Sequence, residues 1–220
     1  MIDLVIQSRD RDLGGFTVRR VLPFAERRMV GPFIFFDHMG PHILPAGLAK
    51  GADVRPHPHI GIATVTYLFE GALTHRDSTG AVQDIRPGDV NWMVAGRGVS
   101  HSERLDHMGQ SGGVLHGIQA WIALPGDDEE CAPSFVHHAA NALPFYAAGG
   151  IKARLIAGNA FTASSPVQGH SPLFYVHTEL EGGAITSIPG SYSERALYVV
   201  SGEIEISDRL FRAGQRTVFA

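Results

Sequence analysis

The fold of this chain is decided by short apolar runs separated by turn residues. Residues 62–69 read IATVTYLF and residues 90–94 read VNWMV, and both runs are rich in the β-branched and aromatic residues that fit a pleated sheet. Between them lie the turn sequences Asp77-Ser-Thr-Gly80 and Arg86-Pro-Gly-Asp89. Strands at this spacing are typical of an all-β sandwich or barrel.

Similar runs continue along the chain. The further predicted strands are residues 2–6, 16–22, 33–36, 115–124, 153–156, 173–176 and 197–206. No long segment has helical periodicity, and Pro144 interrupts the alanine-rich stretch 139–148. The 26 glycines and 13 prolines agree with many turns. We therefore predict an all-β protein.

Composition excludes several classes of protein. With 220 residues, 44% hydrophobic and 18% charged, the chain is long enough for one large or two small globular domains. A net charge of −4 and the absence of a basic cluster argue against direct nucleic-acid binding. No run approaches the ~18 apolar residues of a membrane span. The N-terminus does not resemble a secretory signal, and the single Cys131 excludes an intrachain disulfide, so we expect a cytoplasmic protein without a membrane partner.

A weak internal repeat predicts two modules. Residues 67–74 (YLFEGALT) resemble residues 198–205 (YVVSGEIE), and an Arg-x-Gly turn follows each copy. The acidic segment 125–133 is the predicted boundary, which gives an N-terminal barrel over 1–130 and a C-terminal barrel over 131–220. The second copy stops soon after its turn, so it is predicted to be incomplete, and we expect a longer natural chain to supply its missing strands.

Two short motifs carry the chemistry. They are His57-Pro58-His59 and His101-Ser102-Glu103. Residues i and i+2 of a strand project from one face, so two such strands would bring three imidazoles and one carboxylate around a point. Such ligands suit Fe(II), Mn, Ni, Cu or Zn, and four protein ligands leave open positions for chemistry. The alternative is that the His-Pro sequence is only a solvated turn.

Several longer segments resemble the pirin family. They are RPHPHIG at 55–61, TVTYLFEG at 64–71, RGVSHSE at 97–103 and GIQAWIAL at 117–124. The resemblance is dense between residues 19 and 124 and thinner afterwards. It implies a bicupin, with two antiparallel β-barrel (jelly-roll) domains and one metal ion in the N-terminal barrel, and iron is the usual metal.

The resemblance also implies the residues of the site. The implied metal ligands are His57, His59, His101 and Glu103. The second module lacks a His-x-His motif where one would be sought, at residues 188–191, so one divalent metal ion per chain is expected. His107 and His116 are candidates to orient a ligand imidazole, and a solvated loop or a satisfied core position is the alternative for both. His75 is predicted on an exposed strand end.

Three functions follow from these features. By resemblance, the first is a quercetin 2,3-dioxygenase-type oxidoreductase that opens a flavonol or a related aromatic substrate with O2 and releases carbon monoxide, with Glu103 as the proton acceptor. The second is an iron-dependent redox-sensing protein that binds and regulates a transcription factor or a metabolic enzyme. The third is a barrel with a closed, structural metal site.

Overall fold

Strands make up almost all regular structure in the computed structural model, which describes residues 2–13, 16–47, 53–167 and 169–219. The strands are β1 Ile2–Gln7, β2 Arg9–Asp12, β3 Thr17–Leu22, β4 Phe33–Leu44, β5 Val54–His59, β6 Ile62–Glu70, β7 Leu73–Asp77, β8 Val82–Ile85, β9 Val90–Val94, β10 Val99–Arg104, β11 Gly113–Ala123, β12 Ser134–His138, β13 Phe145–Ala148, β14 Ile151–Ala160, β15 Ala163–Ser164, β16 Phe174–Leu180, β17 Arg195–Tyr198, β18 Glu203–Ile206, β19 Arg209–Arg212 and β20 Gln215–Phe219. A 3-10 helix at Ala140–Ala142 is the one helical element among these described residues. The all-β prediction is confirmed.

Two antiparallel sheets form the N-terminal part of the fold. One has seven strands in the order β12-β9-β6-β11-β4-β3-β2, and the other has four in the order β5-β10-β7-β8. The central strand β6 is buried along most of its length, because it is covered on both faces. Val65 and Tyr67 pack into the main core on one face, whereas Leu68 packs into a second cluster on the other. Alternation along a strand produces this division.

The C-terminal part consists of smaller sheets. Strand β14 pairs with β13, β15 and β16, strands β1, β20 and β17 form a three-stranded sheet, and β18 pairs with β19. Two pairings cross the predicted boundary at residue 130, because β1 pairs with β20 and β12 pairs with β9. The division into 1–130 and 131–220 stays a prediction, and a cut there would separate paired strands.

The internal repeat has a structural counterpart. Strands β6 to β9 and strands β17 to β20 share one topology, in which the first and last strands pair and the middle two form a hairpin. The turn before the last strand is closed in the same way in both copies. The amide of Gly88 donates to the Leu68 carbonyl at 2.9 Å, and the amide of Gly214 donates to the Val199 carbonyl at 2.9 Å.

The bend between the first two strands of each copy occurs at a glycine. Gly71 has φ +90° and Gly202 has φ +70°, a left-handed conformation that favours glycine. The prediction of a single strand over 197–206 is therefore wrong, since the bend at Gly202 divides this segment into β17 and β18. Within the described residues, no helix is long and apolar enough to cross a membrane.

Candidate metal centre

Three imidazoles converge where β5 pairs with β10. The register places His101 opposite His57 and Val99 opposite His59. Nitrogen atoms of His57, His59 and His101 lie within 4.8 Å of one another, and they form the one such group of three or more metal-binding side chains among the described residues. The Nε2 atoms of His59 and His101 are 3.1 Å apart. Two nitrogens at right angles, each about 2.1 Å from one metal ion, would be about 3.0 Å apart, so the spacing fits a shared ion.

Burial keeps two of these imidazoles neutral. Desolvation lowers the pKa of His59 to about 4, with a smaller contribution from the neighbouring His57. Desolvation, helped by the nearby His57 and His59, lowers the pKa of His101 to about 3. A metal ion binds the neutral imidazole through its lone pair. Both side chains are therefore ready to bind a metal ion at neutral pH.

Hydrogen bonds behind the ligand atoms orient two of the rings. The Nδ1 atom of His57 lies 2.8 Å from the carbonyl oxygen of Arg55, which can only accept a hydrogen bond, so Nδ1–H donates. The Nδ1 atom of His101 lies 3.4 Å from Nδ1 of His75, and Nε2 of His75 lies 3.0 Å from Oδ2 of Asp77. If Asp77 accepts from His75, then His75 accepts from His101. This arrangement leaves Nε2 of both His57 and His101 free to bind a metal.

His75 is buried, and its predicted position on an exposed strand end is wrong. Only 4% of the residue is exposed, because β7 lies between β10 and β8 in the four-stranded sheet and not at its edge. Its ring also stacks on Phe135, with the ring centroids 4.3 Å apart. The sequence carries a signal for this position, because His75 and Asp77 have the same i, i+2 spacing as the two candidate metal-binding motifs.

Glu103 is buried two residues beyond His101 on β10. Its Oε1 accepts a hydrogen bond from the Thr66 hydroxyl at 3.1 Å, and the same hydroxyl lies 2.8 Å from the amide of Gln119. Burial raises the pKa of Glu103, and the Thr66 hydrogen bond opposes this effect. The strand register shifts between His101 and Glu103, and the carboxylate is not a member of the 4.8 Å group. Its assignment as the fourth ligand stays a prediction.

The two other candidate orienting histidines have partners elsewhere. His107 bonds to Asp84 through Nε2. The Nε2 atom of His116 lies 2.7 Å from Nε2 of His38. Neither contact involves the three-histidine cluster, so the orienting position belongs to His75.

An aromatic wall borders the cluster. The ring of Trp121 meets His59 edge to face at 4.9 Å and stacks on Phe35 at 4.0 Å. Trp121 and Gln119 are two residues apart on β11, so they project from the same face. The cluster therefore has an apolar surface and a polar amide on the same side of the sheet.

Two antiparallel β modules, one of which carries a three-histidine cluster, define this protein as a bicupin. The family profile described as Pirin matches residues 15–122. A pirin-like protein of Caulobacter vibrioides is 56% identical over 221 residues, a match that covers 100% of this chain and 77% of that protein. The chain belongs to the pirin family.

Two further relatives bear on activity. A protein of Pseudomonas aeruginosa, provisionally named a quercetin 2,3-dioxygenase, is 43% identical over 73% of this chain and 49% of its own length. The crystal structure of a quercetin 2,3-dioxygenase from Acinetobacter baumannii superposes with a TM-score of 0.90 at 34% identity, covering 99% of this chain and 71% of that one. This chain therefore spans about half of the Pseudomonas protein and under three quarters of the Acinetobacter protein.

Proposed function

We propose that this protein is a metal-dependent dioxygenase that opens a flavonol of the quercetin type or a related aromatic substrate. The observation that carries the proposal is the convergence of three buried or half-buried imidazoles within 4.8 Å. The names of the Pseudomonas and Acinetobacter relatives support the substrate class.

His57, His59 and His101 would hold the metal ion, with Glu103 as the fourth ligand. The donor set fits this role, because two of the histidines are neutral at pH 7 and two have their second nitrogen engaged in a hydrogen bond. Fe(II) is the metal we propose, and imidazole and carboxylate ligands also accept Mn, Ni, Cu or Zn. When bound, such an ion supplies Lewis acidity toward the substrate oxygen and, if redox-active, one-electron chemistry toward O2.

The protein's own contribution is to accept a proton and to orient the substrate. Glu103 would accept the proton of the substrate hydroxyl, since burial raises the pKa of its carboxyl and so makes the carboxylate a stronger base. The hydrogen bond from Thr66 holds the carboxylate in one orientation. Trp121 would offer a flat apolar surface to an aromatic ring beside His59.

The proposed reaction needs no external reductant. Both atoms of O2 enter the products, two ring bonds of the flavonol break, and the carbon between them leaves as carbon monoxide. The proton taken by Glu103 returns to the ring-opened product.

Oxygen uptake with quercetin tests the proposal. Protein reconstituted separately with Fe(II), Mn(II), Ni(II) and Cu(II) is expected to consume O2 and release carbon monoxide with at least one metal. His59→Ala is expected to lose the activity. His170→Ala is the matched control. His170 contacts Asp128 and not the cluster, so this variant should retain full activity.

The opposite result would favour the redox-sensing alternative. Metal bound one-to-one, without oxygen uptake on quercetin, would contradict the dioxygenase proposal. Binding of a protein partner that changes with iron oxidation state would then be the measurement to make.

A further inference from the structure

Gln119 lies in the middle of the seven-stranded sheet, on the face that carries the metal centre. On β11 it stands opposite Asp37 of β4 and Thr66 of β6. Asp37 and Thr66 are 3% and 5% exposed, whereas Gln119 between them is only half-buried. A residue on a strand that is paired on both sides keeps accessible surface only where no other side chain covers it. Gln119 therefore borders a space that a ligand can enter.

The polar groups beside Gln119 already have partners. Both carboxylate oxygens of Asp37 accept hydrogen bonds from Arg20, at 2.9 and 2.8 Å. The Thr66 hydroxyl lies 2.8 Å from the Gln119 amide and 3.1 Å from Oε1 of Glu103. The carboxylate of Asp37 is therefore committed to Arg20, and the Gln119 amide has one partner, the Thr66 hydroxyl.

At least one N–H of the Gln119 amide stays without a partner in the described part of the chain. The Thr66 hydroxyl carries a single hydrogen, which can be donated either to Glu103 or to Gln119. If Glu103 accepts it, Gln119 donates one N–H to the Thr66 oxygen and keeps the other. If Gln119 accepts it through Oε1, both N–H groups remain. In either case the site offers a hydrogen-bond donor to a ligand.

This donor lies between the metal centre and the aromatic wall. Thr66 joins Gln119 to Glu103, the proposed fourth ligand. Trp121 follows Gln119 by two residues, on the same face of β11, and its ring meets His59 at 4.9 Å. An aromatic ligand that binds the metal through one oxygen beside Trp121 can therefore place a second oxygen, on the neighbouring carbon, at Gln119.

We propose that Gln119 determines substrate specificity by donating a hydrogen bond to a carbonyl oxygen of the substrate. The site thereby selects aromatic hydroxy ketones, in which a carbonyl stands beside the metal-binding hydroxyl, over phenols that lack the carbonyl. A carbonyl oxygen can only accept a hydrogen bond, so it matches an N–H donor. A ligand without the carbonyl leaves the donor unpaired. This role rests on the proposed function, because the substrate has to bind at the metal centre.

Calorimetric binding to the Zn(II)-loaded protein tests this role without turnover, because Zn(II) is redox-inert. The matched probes are 2-acetyl-1-naphthol, an aromatic hydroxy ketone, and 1-naphthol, which lacks the carbonyl. Gln119→Met should weaken binding of 2-acetyl-1-naphthol by about 3- to 10-fold, the range for one neutral hydrogen bond, and leave binding of 1-naphthol unchanged. Gln7→Met is the control, because Gln7 is exposed on β1 and this variant should bind both probes like the unmodified protein.

A purely structural role of Gln119 would give a different result. If Gln119 only oriented Thr66 and Glu103, both probes would weaken together in Gln119→Met. Gln119→Asn, which keeps the amide but withdraws it by one methylene, should show the same selective loss, so the test does not depend on Gln119→Met folding. Unchanged binding of 2-acetyl-1-naphthol in both variants, equal weakening of both probes, or no saturable binding of 2-acetyl-1-naphthol to the unmodified protein would each overturn the proposal.

Oxygen uptake with quercetin separates this role of Gln119 from the proposed function. A selective loss in Gln119→Met, without oxygen uptake by any metal form of the unmodified protein, would contradict the dioxygenase but support a site for hydroxy ketones. Oxygen uptake by the unmodified protein, together with unchanged probe binding in Gln119→Met, would support the dioxygenase and overturn the role of Gln119.

Discussion

The hydrogen-bonded chain from Asp77 through His75 to His101 makes a quantitative prediction about metal affinity. His75→Phe keeps a flat ring that can stack on Phe135, but it removes the acceptor for Nδ1–H of His101. The His101 ring then loses the contact that fixes its tautomer. Loss of such an outer hydrogen bond usually costs 10- to 100-fold in metal affinity, and the long 3.4 Å contact places the expected loss near the lower limit, at about tenfold or ~1.4 kcal/mol.

The stability of the fold has to be measured alongside the affinity. His75→Phe also leaves Oδ2 of the buried Asp77 without its donor, at a cost of about 1–3 kcal/mol. The other oxygen, Oδ1, keeps its hydrogen bonds from Thr79 and Ala81. Burial acts to raise the pKa of Asp77, but the hydrogen bonds from His75, Thr79 and Ala81 together lower it. We therefore expect a folded protein with a lower melting temperature in the absence of metal.

Competition with a chromophoric chelator gives the metal dissociation constant directly. His138→Phe is the control, since this histidine lies on β12 outside the cluster, and it should leave the affinity unchanged. His75→Gln, whose amide offers both an acceptor and a donor, should recover part of the loss. The reasoning is refuted if His75→Phe binds metal within twofold of the unmodified protein while His101→Ala does not.

Three further predictions use other parts of the molecule. Gly71→Ala should lower the free energy of unfolding by about 3 kcal/mol, because it combines a strained positive φ with a clash against the Val114 carbonyl oxygen. Gly202→Ala meets open space and should lower the free energy of unfolding by only about 1 kcal/mol, from the positive φ alone. Equal urea midpoints for the two variants would contradict this prediction. Desolvation, with a smaller contribution from Arg19, lowers the pKa of His38 from 6.5 to about 3. Between pH 6.5 and pH 3 the unfolded chain therefore binds more protons at this residue than the folded protein does, and the stability of the fold decreases as the pH is lowered. Between pH 7 and pH 5 this histidine should lower the free energy of unfolding by about 2 kcal/mol. Urea unfolding of His38→Gln at both pH values should therefore show a loss of stability that is smaller by about 2 kcal/mol than in the unmodified protein. Glu103→Gln, tested at saturating metal, should retain metal on the histidines but lose at least about 100-fold in oxygen uptake, and unchanged uptake would remove Glu103 from the proposed mechanism.

Much of the fold could be predicted from sequence because strand patterns are local. The alternation and the turn residues that flank β6 and β9 are contained in a few neighbouring positions. The repeat was visible for the same reason, since each copy places a glycine at the same bend. The sequence predicts one strand over 197–206 because apolar residues occur on both sides of the bend, whereas in the structure the positive φ of Gly202 divides the segment.

By itself, the sequence determined the strand-rich class, the His-x-His and His-x-Glu motifs, and the resemblance to pirins. These features depend on residue type and on spacing of two, which any strand converts into a shared face. Only the tertiary structure decided which histidine contacts which candidate ligand. His75 lies 26 positions before His101 in the chain, and the pairing of β7 with β10 brings them together. The burial that lowers the pKa values of His59 and His101 likewise arises from packing between strands far apart in the chain, which no local pattern encodes.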